Sequence, residues 1–227
     1  MPVIKEAYSK LVAELKPGKV TLVAVSKSRT IEEIKELYEL GNRDFGENYV
    51  QELKEKQVQL PDDIRWHFIG HLQTNKVKQI ASFIHLVQSI DSLKLLKEIN
   101  RQAQLNFRVI NCLLQVHIAQ EETKFGLDEK ELHELFVTNS HPLHELKNVC
   151  ITGLMGIASL TNDPGKIRNE FKQLKRLYEK YGKLQIANCQ LTILSIGMSS
   201  DYRIAVEEGS NMVRIGSLIF GDREKLT

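Results

Sequence analysis

Lys27 directly follows the apolar run Val20–Ser26, VTLVAVS. An amine held at the end of such a run loses water, and desolvation favours its neutral form. A neutral amine is what imine formation with an aldehyde requires. Most lysines are solvated, so position alone leaves the ordinary surface role ahead. Two later segments add chemistry. In Gly197-Met198-Ser199-Ser200-Asp201, the serine hydroxyls and the first N–H groups of a following helix suit an anion such as a phosphate. Either serine serves equally as a plain helix cap. In Arg214-Ile215-Gly216-Ser217, a guanidinium sits beside a glycine and serine that offer backbone donors. An ion pair with Asp44 or Glu47 is a structural use of Arg214 compatible with that one.

The segment Phe45-Gly46-Glu47-Asn48-Tyr49 offers a short amide that could orient a ring or the lysine, and a carboxylate to balance positive charge. Asn48 as the cap of a following helix is the rival reading. His67 and His71 lie four apart, but their stretch reads as strand and turn, and no third ligand accompanies them. His67 is expected to be a polar barrel-lining residue or to stack on a ring. No G-x-S-x-G elbow and no phosphate-binding P-loop occurs.

These groups need a scaffold, and the periodicity supplies one. An amphipathic helix over Pro2–Leu15 comes first, stopped by Pro17-Gly18. Strands fit Val20–Ser26, Arg43–Phe45, Arg65–Ile69, Ile84–Ser89, Val109–Ile118, Cys150–Ile157, Leu191–Ile196 and Met212–Ile215. Between them, helices fit Thr30–Gly41, Tyr49–Gln59, Asn75–Ala81, Ser92–Gln104, Glu129–Thr138, Pro164–Tyr181 and Asp201–Glu208. Thr30 with Glu33, and Asp128 with Glu131, have capping-box spacing. Asp163 before Pro164 suits a helix start, and Gly41, Gly182 and Gly209 suit helix ends. Eight alternating units pair in parallel through right-handed crossovers and close into a (β/α)8 TIM-type barrel. A doubly wound open sheet is the alternative, though no G-x-G-x-x-G follows the first strand. In a barrel the active groups sit at the C-terminal ends of the strands, where Lys27, Asn48, Ser199, Ser200, Arg214, Gly216 and Ser217 all fall.

Residues 1–227 read as one domain without linkers or low-complexity runs. A formal net charge of +2 gives little attraction to nucleic acid or an anionic membrane. The three cysteines show no metal-ligand spacing, which suits a reducing cytoplasm. No run is long and apolar enough to span a bilayer, and the N-terminus is no secretory signal.

Taken together, the stretches LVAVSKSR, RDFGENYVQE, WHFIGHLQTNK, SIDS, GLMGI and LSIGMSSDYRIAVEEGSNMVRIGSLIFG span nearly the whole chain. In content and order they resemble the pyridoxal phosphate homeostasis proteins, the alanine-racemase-like barrels that bind pyridoxal 5'-phosphate (PLP). The resemblance implies PLP fold type III, with PLP as a Schiff base on Lys27. It implies Asn48 and His67 along the cofactor, and Ser199, Gly216 and Ser217 at the phosphate. Met198 and Ser200 would neighbour the pocket, and Arg214 would face the pyridine nitrogen. A guanidinium there disfavours a protonated ring and so weakens it as an electron sink. Racemases of this fold take a second base from a further domain, whereas this chain ends at Thr227. A non-catalytic PLP carrier or regulator, acting in vitamin B6 and amino-acid balance, is therefore the expectation. PLP-dependent apo-enzymes or a regulatory protein are its possible partners, and a monomer is its expected state. A narrow amino-acid racemase is the alternative, and an adaptor for another protein is a third. One departure from the family pattern is His117 in QVHIA, where asparagine is usual; the following EETKFG keeps its shape.

Overall fold

The computed structural model describes residues 3–119, 125–137, 142–184 and 189–221. Helix α1 (Lys5–Leu15) precedes β1 (Thr21–Val25), α2 (Ile31–Glu39), β2 (Asp44–Glu47), α3 (Val50–Gln57) and β3 (Arg65–Phe68). The chain continues through β4 (Leu86–Ile90), α4 (Leu93–Leu105), β5 (Ile110–Val116), α5 (Glu129–Val137), β6 (Val149–Gly156) and α6 (Pro164–Gly182). It finishes with β7 (Cys189–Ser195), α7 (Tyr202–Glu207), β8 (Met212–Ile215) and α8 (Ser217–Phe220). The strands follow sequence order around a closed parallel barrel. All eight expected strands form, and no strand end moves by more than two residues.

Alternation along the strands separates two apolar regions. Val23, Leu86, Leu113, Met155 and Met212 pack together inside the barrel. Leu22, Ala24, Val213 and Ile215 belong instead to the larger cluster between strands and helices. That cluster takes the stripe of each helix, such as Ile34 and Leu37 of α2 and Phe171, Leu174 and Tyr181 of α6. Local signals place the helix starts. Thr30 and Glu33 form both bonds of a capping box. Asp128 and Glu131 exchange the same pair of bonds. Asp163 accepts from Gly165 and Lys166 ahead of Pro164. Gly41 and Gly209, at φ 100° and 91°, end their helices in the left-handed region.

Three local expectations are corrected. The segment expected as a helix over Asn75–Ala81 is a 3-10 turn over Thr74–Gln79, closed by bonds such as Lys76 N–H to Gln73 O. It is too short and too weakly apolar to build an α-helical stripe. Tyr49, not Asn48, occupies the cap position of α3. A further short helix, α8, follows the last strand, where no helix is expected from the sequence. None of the described helices is long and apolar enough to cross a membrane.

Gly153 marks the irregular registers of β6 with its neighbours. A Cβ there would lie 1.9 Å from the Ile193 carbonyl oxygen. Gly153→Ala is expected to destabilise the barrel by ~1–3 kcal/mol through overpacking, lowering Tm by several degrees. Thermal unfolding checks this against Gly182→Ala, whose new methyl meets nothing closer than 3.8 Å.

Candidate functional site

At the C-terminal ends of β1, β7 and β8, a cavity of about 330 Å³ is lined by Val25, Lys27, Arg29, Met198, Ser199, Ser200, Arg214, Gly216, Ser217 and Gly221. Seven of the nine site residues expected from sequence therefore share one opening. Gly197, at φ 99°, lets the loop after β7 fold back onto α7, since an added Cβ would lie 2.6 Å from the Ala205 Cβ. Across the opening, the Gly216 N–H donates to Ser199 Oγ at 3.4 Å. The helix after that loop differs from expectation. It starts at Tyr202, and Asp201 Oδ1 accepts the Met198 N–H at 2.6 Å. An anion here would rely on the Ser199, Ser200 and Ser217 hydroxyls and the Gly216 segment at the start of α8, not on the first amides of α7, since the Asp201 and Tyr202 N–H groups donate to Met198 O. Burial pushes the Asp201 carboxyl up, against the Met198 bond and the Arg214 charge that pull it down.

Arg214 forms the buried wall of this cavity. Its Nη1 donates to Ser195 O at 2.8 Å and Ser195 Oγ at 2.7 Å, and Nη2 donates to Gly156 O at 2.9 Å. Burial pushes its pKa down to about 10, opposed by the Asp201 charge. It remains a cation at neutral pH. The alternative pairing with Asp44 or Glu47 is not made: Asp44 pairs with Arg65, and Glu47 with Lys56.

Lys27 sits on a clamped stretch of backbone. Lys56, only 5% exposed, donates to Ser26 O at 2.6 Å, Glu47 Oε1 at 2.8 Å and Glu52 Oε1 at 2.6 Å. Glu47 Oε1 also accepts from Ser26 Oγ at 2.5 Å, and Glu52 Oε1 accepts the Ser28 N–H at 2.5 Å. Both neighbours of Lys27 are thus tied to one buried cluster. Ser28 is held at φ 60°, a left-handed conformation that costs a non-glycine residue energy. Burial raises the Glu47 pKa despite the Lys56 charge and the bonds it accepts. Lys56 went unnoticed in the sequence. Its one signal is the Glu52–Lys56 spacing of four on α3, which reads as a solvated helix face.

Asn48 and His67 lie elsewhere. Asn48 lines a neighbouring cavity of about 280 Å³ with Ile69, Gly70, His71, Gln115, Val116, His117, Phe125 and Ile157. Its Oδ1 is buried without a hydrogen-bond partner among the described residues. Gly70 is required beside it, because a Cβ would lie 2.3 Å from the Asn48 carbonyl oxygen. His71 stacks on Phe125 at 4.0 Å and bonds Asp91 at 2.8 Å. The departure at His117 therefore faces this cavity. Lys124, in the EETKFG stretch, lies outside the described residues. His67 lines the barrel, one of the two roles expected of it from the residues, but it is not at the place along the cofactor that the resemblance implies. It does not line the Lys27 cavity but a separate one of about 240 Å³ with Asp44, Arg65, His85 and Thr21. It comes from the middle of β3, beneath the mouth, where Asp44 and Gln88 hold its ring inside the barrel. Among the described residues, no group of His, Cys, Asp and Glu gathers as a metal site.

Residues 3–224 match the family described as the alanine racemase N-terminal domain. The pyridoxal phosphate homeostasis protein of Aquifex aeolicus is 41% identical over 204 residues, 89% of this chain and 87% of that protein. This chain belongs to the pyridoxal phosphate homeostasis protein family. PipY of Synechococcus elongatus PCC7942 matches in two solved structures. Without PLP it aligns with a TM-score of 0.88 at 36% identity, covering 96% of this chain and 100% of PipY. With PLP bound the TM-score is 0.85 at 35% identity, covering 95% and 99%.

Two expected outcomes follow from the charges around this family member's site. Lys56→Met leaves two carboxylates without their buried cation and should cost ~3–5 kcal/mol in urea unfolding. The loss should be partly relieved when Glu47→Gln is added. Asp44 provides the second. Burial opposes its ionisation, but hydrogen bonds from Arg65 and His67 outweigh burial and hold its pKa well below the usual carboxylate range. Its stabilising contribution is complete above the unfolded-state pKa and is lost as pH falls through the folded-state one. Asp44→Asn should therefore lower stability near pH 7 and flatten the acid limb of the stability–pH curve, measured by urea unfolding at successive pH values.

Proposed function

We propose that this chain binds PLP as a Schiff base on Lys27 and serves in intracellular vitamin B6 and amino-acid balance, holding the cofactor rather than catalysing with it. The carrying observation is the single cavity that joins Lys27 to Ser199, Ser200, Gly216 and Ser217 over the buried Arg214 guanidinium. These residues fit the chemistry of the group: an amine for an aldehyde, hydroxyl and amide donors for a phosphate, and a cation beside a pyridine ring. Asn48 Oδ1, without a hydrogen-bond partner among the described residues, is a further polar atom at the C-terminal ends of the strands. The PLP-bound structure of PipY supports the same assignment.

When bound, PLP supplies an aldehyde carbon and a ring able to accept electron density. Lys27 Nζ would hold it by a C=N bond, formed with loss of water. Ser199, Ser200 and Ser217 would donate to the phosphate, with Gly216 allowing close approach. Arg214 keeps a positive charge at the ring side of the cavity and opposes a second positive charge there. A ring kept unprotonated withdraws electrons less strongly, which favours holding over turnover. The cysteines Cys112, Cys150 and Cys189 are free thiols, consistent with our placing the protein in a reducing cytoplasm.

The purified protein mixed with PLP should develop a visible absorption band that Lys27→Ala abolishes. Borohydride reduction and peptide mapping should fix the label on Lys27. A label on Lys56 or Lys76 would overturn the site. Chiral analysis of amino acids incubated with the loaded protein should show no interconversion. Turnover lost with Lys27→Ala would assign a racemase instead.

A further inference from the structure

Beneath the Lys27 cavity, the barrel interior holds a line of buried polar side chains beside its apolar layer. Arg214 Nη1 meets Ser195 Oγ at 2.7 Å, and Ser195 Oγ meets Gln88 Oε1 at 2.7 Å. Gln88 Nε2 meets His67 Nδ1 at 2.9 Å, and His67 Nε2 meets Asp44 Oδ1 at 3.0 Å. Ser195 and Gln88 are wholly buried and His67 nearly so. The link from Gln88 on β4 to Ser195 on β7 crosses the barrel between strands that are not neighbours. We propose that Asp44, His67, Gln88 and Ser195 form a directed relay that positions Arg214 and sets the field it presents to the cofactor. This inference rests on the reading of the Lys27 cavity given above.

The direction of the relay is imposed from both ends. Arg214 is a donor only, so Ser195 Oγ accepts from it. The Ser195 hydroxyl hydrogen is then left for Gln88 Oε1. Asp44 is an acceptor only when ionised, and it also accepts from Arg65 at 2.8 and 2.5 Å. His67 therefore donates from Nε2, and with Gln88 Nε2 facing its Nδ1 that nitrogen is the acceptor of the Gln88 amide. With the Gln88 amide placed as here, Nε2 towards His67 and Oε1 towards Ser195, every donor along the line meets an acceptor and the bonds point one way. Aligned bonds polarise one another in a poorly solvated interior. The Asp44 charge at one end thus supports the guanidinium charge at the other.

Simple packing does not account for this line. Val23, Leu86, Leu113 and Met155 show that apolar side chains fill the same interior. Burying polar groups costs stability that an apolar layer would not. The charged and titratable groups around the two ends are few. Asp201 acts on Arg214, with Lys27 and Arg29 on the same cavity. Asp44 and Arg65 flank His67, and the His85 ring lies 5.6 Å away. The far end lines the cavity of Asp44, Arg65 and His85, so the relay runs from that opening to the floor of the Lys27 cavity.

The test compares Gln88→Leu, which cuts the relay, with Gln88→Met, which keeps the length and neutrality of the side chain but cannot donate to His67. Each is made alone and with Arg214→Gln. With PLP bound, both Gln88 variants should raise the pH midpoint of the visible band by roughly half a unit or more, because Arg214 opposes ring protonation less. In the Arg214→Gln background that shift should vanish. No shift, or an equal shift in both backgrounds, would overturn the relay. If Gln88→Leu does not fold, the near-isosteric Gln88→Met carries the comparison. A second measurement needs no cofactor. Imidazole nitrogen NMR of the PLP-free protein should find the His67 proton shared with Asp44 on Nε2 and Nδ1 acting as a hydrogen-bond acceptor, and that Nδ1 hydrogen bond should disappear in Gln88→Leu. The opposite tautomer overturns the relay. Wild-type protein that shows no band with PLP overturns the cavity reading, and with it the role toward the cofactor.

Discussion

β8 pairs in parallel with β1, Thr21 beside Met212 through Ala24 beside Ile215, and this seam closes the barrel. Closure brings residues near the two ends of the chain onto one opening, with Lys27 on one side and Arg214 to Ser217 on the other. Other contacts reinforce the seam. The Ile4 N–H donates to Ile219 O, and Arg29 Nη2 donates to Gly221 O at 2.6 Å. Joining such distant segments carries a loop-closure cost that grows only slowly with separation. The burial of Val23, Ala24, Val213 and Ile215 offsets that cost.

The site then depends on two cations in surroundings of opposite kind. Lys56 is buried among carboxylates and backbone acceptors, and its charge holds Glu47 and Glu52 against the residues flanking Lys27. Arg214 is buried among neutral acceptors, Ser195 and the Gly156 carbonyl, with Asp201 nearby. The first cation is neutralised and acts as a mechanical anchor. The second keeps much of its field and can project it into the cavity. Low dielectric makes each arrangement strong, and it makes each sensitive to loss of one partner.

Much of this was legible in the residues. Capping boxes at Thr30 and Asp128 and the Asp163-Pro164 start announced their helices. Apolar runs announced eight strands. Seven of nine expected site residues converge on one cavity because strand ends in a barrel share a rim. The failures have physical causes. Lys56 looked like surface because a spacing of four along a helix says nothing about what packs over it. The resemblance sets His67 along the cofactor, but its place within β3 turns it into the barrel interior beneath the mouth, held by Asp44 and Gln88. The short helix α8 carries no capping signal: its cap position is Gly216, with no side-chain bond.

By itself the sequence determined the element order, the parallel barrel and the identity of the groups that meet at its mouth. Those depend on periodicity, turn chemistry and residue type, all of them local. Only the tertiary structure decided which polar groups face one another across the interior. Gln88 and Ser195 are separated by 107 positions and lie on strands that are not neighbours, yet they share a hydrogen bond. Such a contact follows from barrel closure and strand register, and neither leaves a mark on the residues along either strand.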